Sequence, residues 1–303
     1  MDLIKEIVSQ VKNLQKVLVF PEGEDERILK AVGLALKHKI IKPILLGDEK
    51  VIKREAKKNK IDLTNVKIIN PLNKLFYAAS MVAKGEADSF VAGAVHTTRE
   101  VIIAALKTIG LRKNVSVPSS FFLMSIPNYA GGEKGNLIYS DVAVNINPNA
   151  KQLAEIAIAS GQTAKQLFGW EPRVALLSFS TKGSAKHPDV EKVVQATKLA
   201  QKKAKGMKID GELQADAALI PEVAKRKDKS SNGVSGKANV LVFPTLDAGN
   251  IAYKLTQRLA NAKAYGPILQ GFNKPISDLS RGATVDDIFG VIVLLSVWSE
   301  RQR

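Results

Sequence analysis

The sequence predicts an α/β protein with parallel-rich sheets. Short apolar runs alternate with amphipathic helices along most of the chain, which is the pattern of βαβ units with helices on both sheet faces. At 303 residues the chain is long enough for two domains rather than one. Several apolar runs end in loops of small or hydroxyl residues before a helix, where α/β proteins bind anions.

Residues 3–15 carry the spacing of an amphipathic helix. Residues 17–20 read as a buried strand closed by Pro21, followed by the acidic loop 22–26. Arg27 begins a helix with Ile28, Leu29, Val32, Leu34 and Ala35 on its apolar side. Strands are expected at 42–47 and 66–69, with helices over 48–58 and 71–84. A strand at 89–92 runs into the loop GAVHTT (93–98) and a helix over 99–109. From Val115 the texture changes: 119–125 and 135–143 alternate around the polar turn 128–134, as an antiparallel hairpin does. Helices over 148–167 and 188–204 flank a strand at 173–178. A polar-studded strand and loop at 209–216 contains Asp210, Glu212 and Asp216, which read as structural acids or as a divalent-metal set. A loop (225–236), a strand (239–244) and a helix (247–258) follow. The run VLVFP occurs at both 17–21 and 240–244, and PILLG (43–47) is echoed by PILQG (267–271). Shared strand vocabulary and structural pseudo-symmetry both account for this.

Hydrophobic residues make up 45% of the chain and charged residues 24%, a globular balance. No apolar run approaches the ~20 residues of a membrane span. The start has no signal-peptide core, so the cytoplasm is the expected compartment. There are no cysteines, which excludes disulfides, thiolate metal sites and a cysteine nucleophile. Lys+Arg 45 against Asp+Glu 29 gives a net charge of +16, a field that attracts polyanions. The lysine clusters at 50–60, 202–208 and 225–229 are interleaved with helix formers and carry few aromatics. They read as solvated helix faces, not as a platform for nucleic-acid bases.

The most informative stretch is GPILQGFNKPISDLSRGATVDD (266–287). A short buried strand at 267–269 leads into a loop with Asn273, Asp278, Ser280, Arg281 and a relaxing Gly282. Thr284 then caps the last helix, with Asp287 at capping-box spacing. A hydroxyl (Ser280), a bidentate cation (Arg281) and a carboxylate (Asp287) suit a phosphate clamp with proton handling. The same residues also read as plain turn and helix caps. His96 in GAVHTT is a candidate ligand or acid/base, or a histidine that ties its loop. The loop FSTKGSAK (179–186) lacks the Walker spacing, yet offers hydroxyls, lysines, a glycine and backbone N–H groups to a phosphate.

Taken together, LSFSTKGSAKHP (177–188), IDGELQADAALIPEVA (209–224), GKANVLVFPTLDAGNIAYKLTQRLA (236–260) and GPILQGFNKPISDLSRG (266–282) strongly resemble the phosphate acetyltransferase family. VFPEGEDERILKA (19–31) and GEADSFVAGAVHTT (85–98) fit the same family, so the resemblance spans nearly the whole chain. It implies the reaction acetyl-CoA + phosphate = acetyl phosphate + CoA, with CoA and acetyl-CoA as substrates, no cofactor in the chemical step and no metal. It implies a homodimer, with no nucleic-acid or membrane partner. It also implies two α/β domains with the active site in the cleft between them, like the isocitrate and isopropylmalate dehydrogenases. The expected boundaries are 1–114 plus 270–303 for the first domain and 115–269 for the second, with the last helix packed back on the first.

On this resemblance Ser280, Arg281 and Asp287 are the catalytic residues. Arg27, His96, Thr97, Arg99, Asn250 and Asn273 are expected to bind substrate or CoA, together with Ser180, Thr181, Lys182, Gly183, Ser184 and Lys186 of the phosphate-like loop. Two departures stand out. Relatives carry an extra segment after the position of Pro71, including an arginine that helps hold CoA, and here 70–76 runs straight on. Relatives also place an arginine where this chain has Ile103, and Arg99 lies one helical turn earlier on the same face. Preference for a longer, butyryl-like acyl group and a weakened CoA- or acyl-phosphate-binding paralogue are the alternative readings.

Overall fold

The structure is a computed structural model that describes residues 3–113, 115–228 and 233–302. The chain divides into two compact units, Met1–Lys113 with Tyr265–Arg303, and Asn114–Ala264.

The first unit opens with α1 (Leu3–Val11), β1 (Lys16–Phe20), α2 (Glu26–Lys37), β2 (Ile41–Leu46) and α3 (Glu49–Lys58). It continues with β3 (Lys67–Ile69), α4 (Lys74–Ala83), β4 (Ser89–Ala92) and α5 (Thr98–Thr108). The second unit runs through β5 (Ser119–Ser125), the single turn α6 (Gly131–Lys134), β6 (Asn136–Ser140), α7 (Ala150–Phe168), β7 (Arg173–Leu177) and α8 (Pro188–Lys203). Then come β8 (Lys208–Leu213), α9 (Ala215–Leu219), α10 (Pro221–Lys227), β9 (Val240–Val242) and α11 (Leu246–Leu259). The chain ends with β10 (Lys263–Gln270), β11 (Ile276–Asp278) and α12 (Val285–Arg301).

In the first unit the strand order is β3-β2-β1-β4-β11-β10. All neighbours are parallel except β10 and β11. Strand β4 has β1 on one side and β11 on the other, and all four of its residues are buried. That explains the continuous apolar run, since a parallel strand is covered on both faces. Helix α12 is buried almost all round, from Ile288 to Ser299, and packs on α1, α2, β1 and β4. A Cβ at Gly290 would lie 2.1 Å from the Tyr265 ring, so α12 approaches that strand more closely than any other residue allows.

In the second unit the order is β5-β6-β9-β7-β8. The β5–β6 hairpin is antiparallel, as expected from the alternation, and the other pairs are parallel. Its core stacks Phe122 on Tyr253, with ring centroids 4.4 Å apart, and sets Tyr139 against Phe243 at 5.2 Å. Each such ring removes a large apolar area from water, on the order of 2–3 kcal/mol.

Helix starts follow the capping residues in the sequence. Asp25, Asp48, Thr245 and Thr284 each accept backbone N–H bonds at a helix start, and Thr97/Glu100 and Asn149/Gln152 form reciprocal capping boxes.

Four expectations need correction. Residues 276–278, read as loop, form β11: three residues after a Pro carry no periodic signal, and pairing between β4 and β10 makes the strand. The 225–236 loop begins later than expected because α10 runs to Lys227, with Pro221 in its first turn. Residues 229–232 of that loop, with Lys229 of the basic cluster, lie outside the described residues. The VLVFP echo is not carried into the strand pairing, since β1 pairs with β2, which holds PILL, whereas β9 pairs with β6 and β7 and not with β10, which holds PILQ. Gly282 does not take a left-handed backbone, and a Cβ there would meet only Ser280 Oγ, at 3.9 Å.

Candidate active site

Strands β1, β4 and β11 are adjacent and parallel, so their C-terminal ends share one edge of the sheet. Three turns leave that edge: 21–26 into α2, 93–97 into α5, and 279–284 into α12. The crevice outside such strand ends is where open α/β sheets bind ligands.

Glu22 organises the second of these turns. Its carboxylate is buried and accepts the amide hydrogens of Gly93 (3.1 Å), Ala94 (2.8 Å), Val95 (2.9 Å) and His96 (2.7 Å). His96 Nδ1 lies 2.8 Å from the same carboxylate. Burial pushes the Glu22 carboxyl up, but the bonds from the His96 ring and the amides outweigh it and leave it below the usual carboxylate value. The Glu22 hydrogen bond in turn raises His96 above its ordinary value. His96 therefore ties its loop through Nδ1, and its side chain is about one quarter exposed (28%).

Arg27 joins the three turns. Nε and Nη2 hold the Asp25 carboxylate at 3.1 and 2.8 Å, Nη1 donates to the carbonyls of Arg281 (2.6 Å) and Ala283 (3.4 Å), and Nη2 also reaches Ala94 O at 3.1 Å. All five guanidinium donors are thus taken up by protein. The geometry makes Arg27 a clamp on the loops instead of the direct substrate contact expected from the sequence.

On the third turn Ser280 is half-buried, and its Oγ accepts the Gly282 amide at 3.3 Å. Arg281 is exposed, and its guanidinium makes no hydrogen bond or ion pair among the described residues. Asp287 closes the expected capping box: Oδ2 accepts from Thr284 N (2.9 Å) and Thr284 Oγ1 (2.8 Å), which leaves Oδ1 free to accept another donor. The capping reading of this stretch is what the hydrogen bonds show, with the exposed cation a few residues before the capping carboxylate.

Other expected ligand residues are engaged elsewhere. Thr97 caps α5 with Glu100. Asn273 bonds Ile109 O at 2.9 Å and so pins the end of α5. Arg99 is exposed on α5 with Ile103 half-buried one turn on. In the second unit Asn250 donates to Val142 O at 3.2 Å. The 180–186 loop was expected to offer free amides, and the structure shows them closed in. Glu212 accepts from Ser180 Oγ (3.0 Å) and Gly183 N (2.7 Å), Ser184 Oγ accepts Thr181 N (3.0 Å), and Ser180 Oγ accepts Ala185 N (3.1 Å). Lys182 is paired with Asp210, whereas Lys186 is exposed. The three acids of 209–216 are therefore structural: Asp210 and Asp216 pair with lysines and Glu212 shapes the loop. Among the described residues no group of three or more acids and histidines is placed to hold a metal ion.

A cavity of about 560 Å³ adjoins the first two turns, lined by Glu22, Asp25, Leu72, Lys74, Val95 and His96 among others. Leu72 at its lip is fully exposed. A larger groove, about 750 Å³, lies on α2 and the 59–66 segment, and it reaches neither Glu22, His96 nor Ser280. The smaller cavity is the one lined by Glu22 and His96; Ser280, Arg281 and Asp287 are not among its lining residues.

The sequence model of the phosphate acetyl/butaryl transferase family matches residues 2–77 and 72–296. The chain belongs to that family. The phosphate acetyltransferase of Acetivibrio thermocellus is 44% identical over 331 aligned residues, covering 99% of both chains. That of Bacillus subtilis is 41% identical over 323, covering 97% of this chain and 98% of its own. Among solved structures, a Streptococcus pyogenes phosphotransacetylase superposes with a TM-score of 0.90 at 35% identity, covering 98% of each chain. A 4-hydroxythreonine-4-phosphate dehydrogenase from Klebsiella pneumoniae shares the fold alone, with a TM-score of 0.58 at 12% identity and coverage of 94% and 99%. An alignment of 331 positions exceeds this 303-residue chain, so the Acetivibrio relative has residues with no counterpart here. The family match changes segment at 72–77, beside the expected departure after Pro71 and at the lip of the smaller cavity.

Glu22, Asp25 and Asp278 escaped the list of candidate site residues. The sequence signal was the acidic run after β1, but nothing in it says that Glu22 turns inward while Glu24 faces out to Lys74.

Proposed function

We infer that this protein catalyses reversible acetyl transfer between CoA and inorganic phosphate. The observation that carries this reading is the unpaired Arg281 guanidinium beside Ser280 at the N-terminal end of α12, on a chain whose full-length relatives are phosphate acetyltransferases. The helix terminus and the guanidinium both favour a dianion there.

Towards acetyl phosphate, a phosphate oxygen attacks the thioester carbonyl of acetyl-CoA. A tetrahedral oxyanion forms, and the C–S bond then breaks to release the thiolate of CoA. Arg281 holds the phosphate through two parallel N–H bonds and neutralises developing charge. Ser280 donates to the oxyanion. In the reverse direction Asp287 Oδ1 takes the proton of the CoA thiol, the sulfur attacks the acetyl carbonyl, and phosphate leaves. Arg27 holds the carbonyls of the Arg281 turn in place. His96 and Arg99 of the first unit are assigned to CoA and its phosphates, and Lys186, Ser180 to Ser184 and Asn250 are kept as ligand candidates of the second unit by itself. The reaction needs no added cofactor in this scheme, and a cytoplasmic homodimer is the expected form. Among the described residues no helix is long and apolar enough to cross a membrane.

The test is a substrate series. Acetyl phosphate and butyryl phosphate are each supplied with CoA, and thioester formation is followed by its absorbance. Turnover at least tenfold faster with acetyl phosphate supports the reading. Faster turnover with butyryl phosphate moves the assignment to a longer acyl group, and CoA binding without turnover favours a binding paralogue.

A further inference from the structure

Asp278 is a buried acid that the scheme above does not use. It ends β11 two residues before Ser280 and is 1% exposed. In the parallel ladder it lies opposite Ala92 of β4, and Leu279 N donates to Ala92 O at 2.5 Å. The next residue of that strand's exit is Gly93, with φ +106°. A Cβ on Gly93 would stand 2.4 Å from Leu279 N and 2.7 Å from Asp278 Oδ1. The Asp278 carboxylate therefore lies against the backbone of the 93–97 turn with no side chain between them. The Thr98 side chain at the head of α5 acts on this carboxyl and favours its charged form. Its Oδ1 has no hydrogen-bond partner among the described residues. Glu22 grips the same turn through its four amides.

We propose that Asp278 is a positioning residue for the acetyl transfer: as a carboxylate it fixes Thr98 and the Gly93 turn against the segment that carries Ser280 and Arg281. This role rests on the function proposed above. A buried acid with an unsatisfied oxygen costs stability, and its presence at this place calls for a return in function. Burial pushes the Asp278 carboxyl up to about 6; the Thr98 side chain opposes the rise and the Glu22 charge adds to it. Glu22 is the charged group acting on it, with His96 bound to Glu22 in turn. From β4 it meets the uncharged Ala92 and Gly93, β10 pairs with β11 through Ile268 and Leu269, and Glu100 of α5 is turned to Thr97. On α12, Asp286 is exposed and Asp287 is bonded to Thr284.

Two signs follow. The Asp278 carboxylate that acts on Thr98 forms as pH rises through about 6 and is lost below it, so turnover falls on the acid side there. Because the folded value lies above the ordinary 3.8, the ionised group destabilises the fold, and the cost is fully present above about pH 6. Asp278→Asn removes that cost and also removes the negative charge beside Thr98 and the Gly93 turn.

The experiment measures kcat, KM and thermal midpoint for wild type, Asp278→Asn and Thr98→Val across about pH 5.5–8.5. The expected result for Asp278→Asn at about pH 8 is kcat lowered roughly tenfold, KM for acetyl phosphate little changed, a midpoint unchanged or raised, and loss of the acid limb near pH 6. Thr98→Val should lower kcat in the same direction. An unchanged kcat in an active background, or an acid limb that survives in Asp278→Asn, overturns the role. So does a midpoint that falls in step with kcat, which is the mark of a purely structural acid. Should Asp278→Asn fail to fold, Thr98→Val decides: wild-type kcat and pH profile in that variant overturn the role. Wild type without turnover overturns the parent function and this role together, whereas active wild type beside an unaffected Asp278→Asn overturns this role alone.

Discussion

His96 Nδ1 lies 2.8 Å from Glu22 Oε1, and that one oxygen also accepts the amides of Gly93, Val95 and His96. A buried carboxylate thus fills a nest of backbone N–H groups that otherwise suits an external anion. The loop is pre-formed by the chain itself, and the exposed cation lies on the neighbouring Arg281 turn.

The Glu22–His96 pair makes stability depend on pH in a defined window. His96 is raised above its ordinary 6.5, so its contribution is complete below that value and fades as pH rises through the folded value. Glu22 is lowered from 4.5, so its contribution is present above 4.5 and is lost as pH falls through the folded value. Thermal unfolding of wild type and His96→Ala should therefore differ most between about pH 4.5 and 6.5. The gap should narrow near pH 8.5; an equal gap at both values contradicts the ion pair.

Arg27 should be intolerant of lysine. An ammonium has three donors and no fork, and it cannot reach Asp25 and the carbonyls of Ala94, Arg281 and Ala283 together. Arg27→Lys should lower kcat about 10- to 100-fold with little change in KM for acetyl phosphate, by loosening the Arg281 turn. Steady-state kinetics with near-wild-type kcat would show that the clamp is dispensable.

Arg99 tests the expectation that it holds CoA in a chain expected to lack an arginine at position 103 and a segment after Pro71. It is exposed on the same α5 face as Ile103. Arg99→Ala should raise KM for CoA roughly tenfold and leave KM for acetyl phosphate within about twofold. Titration of CoA against both forms checks this, and equal affinity would remove Arg99 from the site.

The fold was legible wherever burial and periodicity agree. Strand β4 was read to the residue, because a central parallel strand is an unbroken apolar run. The capping box at Thr284 was read because its signal is local. Strand β11 was not, since Ile276, Ser277 and Asp278 become strand only through pairing with β4 and β10. The site followed the same division. Ser280, Arg281 and Asp287 lie within one short segment around the start of α12, so a single stretch of sequence offers all three as candidates. Glu22 lies about 70 residues from the amides it binds, and Asp278 lies far in sequence from Gly93, so no spacing rule links them. The 180–186 loop has the composition of an open phosphate cradle, yet Glu212, from another strand, closes it.

The central claim is that the Arg281 turn carries the chemistry, and the most direct measurement is acetyl phosphate-dependent formation of acetyl-CoA by wild type and Arg281→Ala. The predicted result is robust wild-type turnover and a variant slower by roughly two to three powers of ten, about 3–4 kcal/mol, with the fold intact by thermal unfolding. A variant that turns over within about threefold of wild type would contradict the account and shift phosphate binding to another part of the chain.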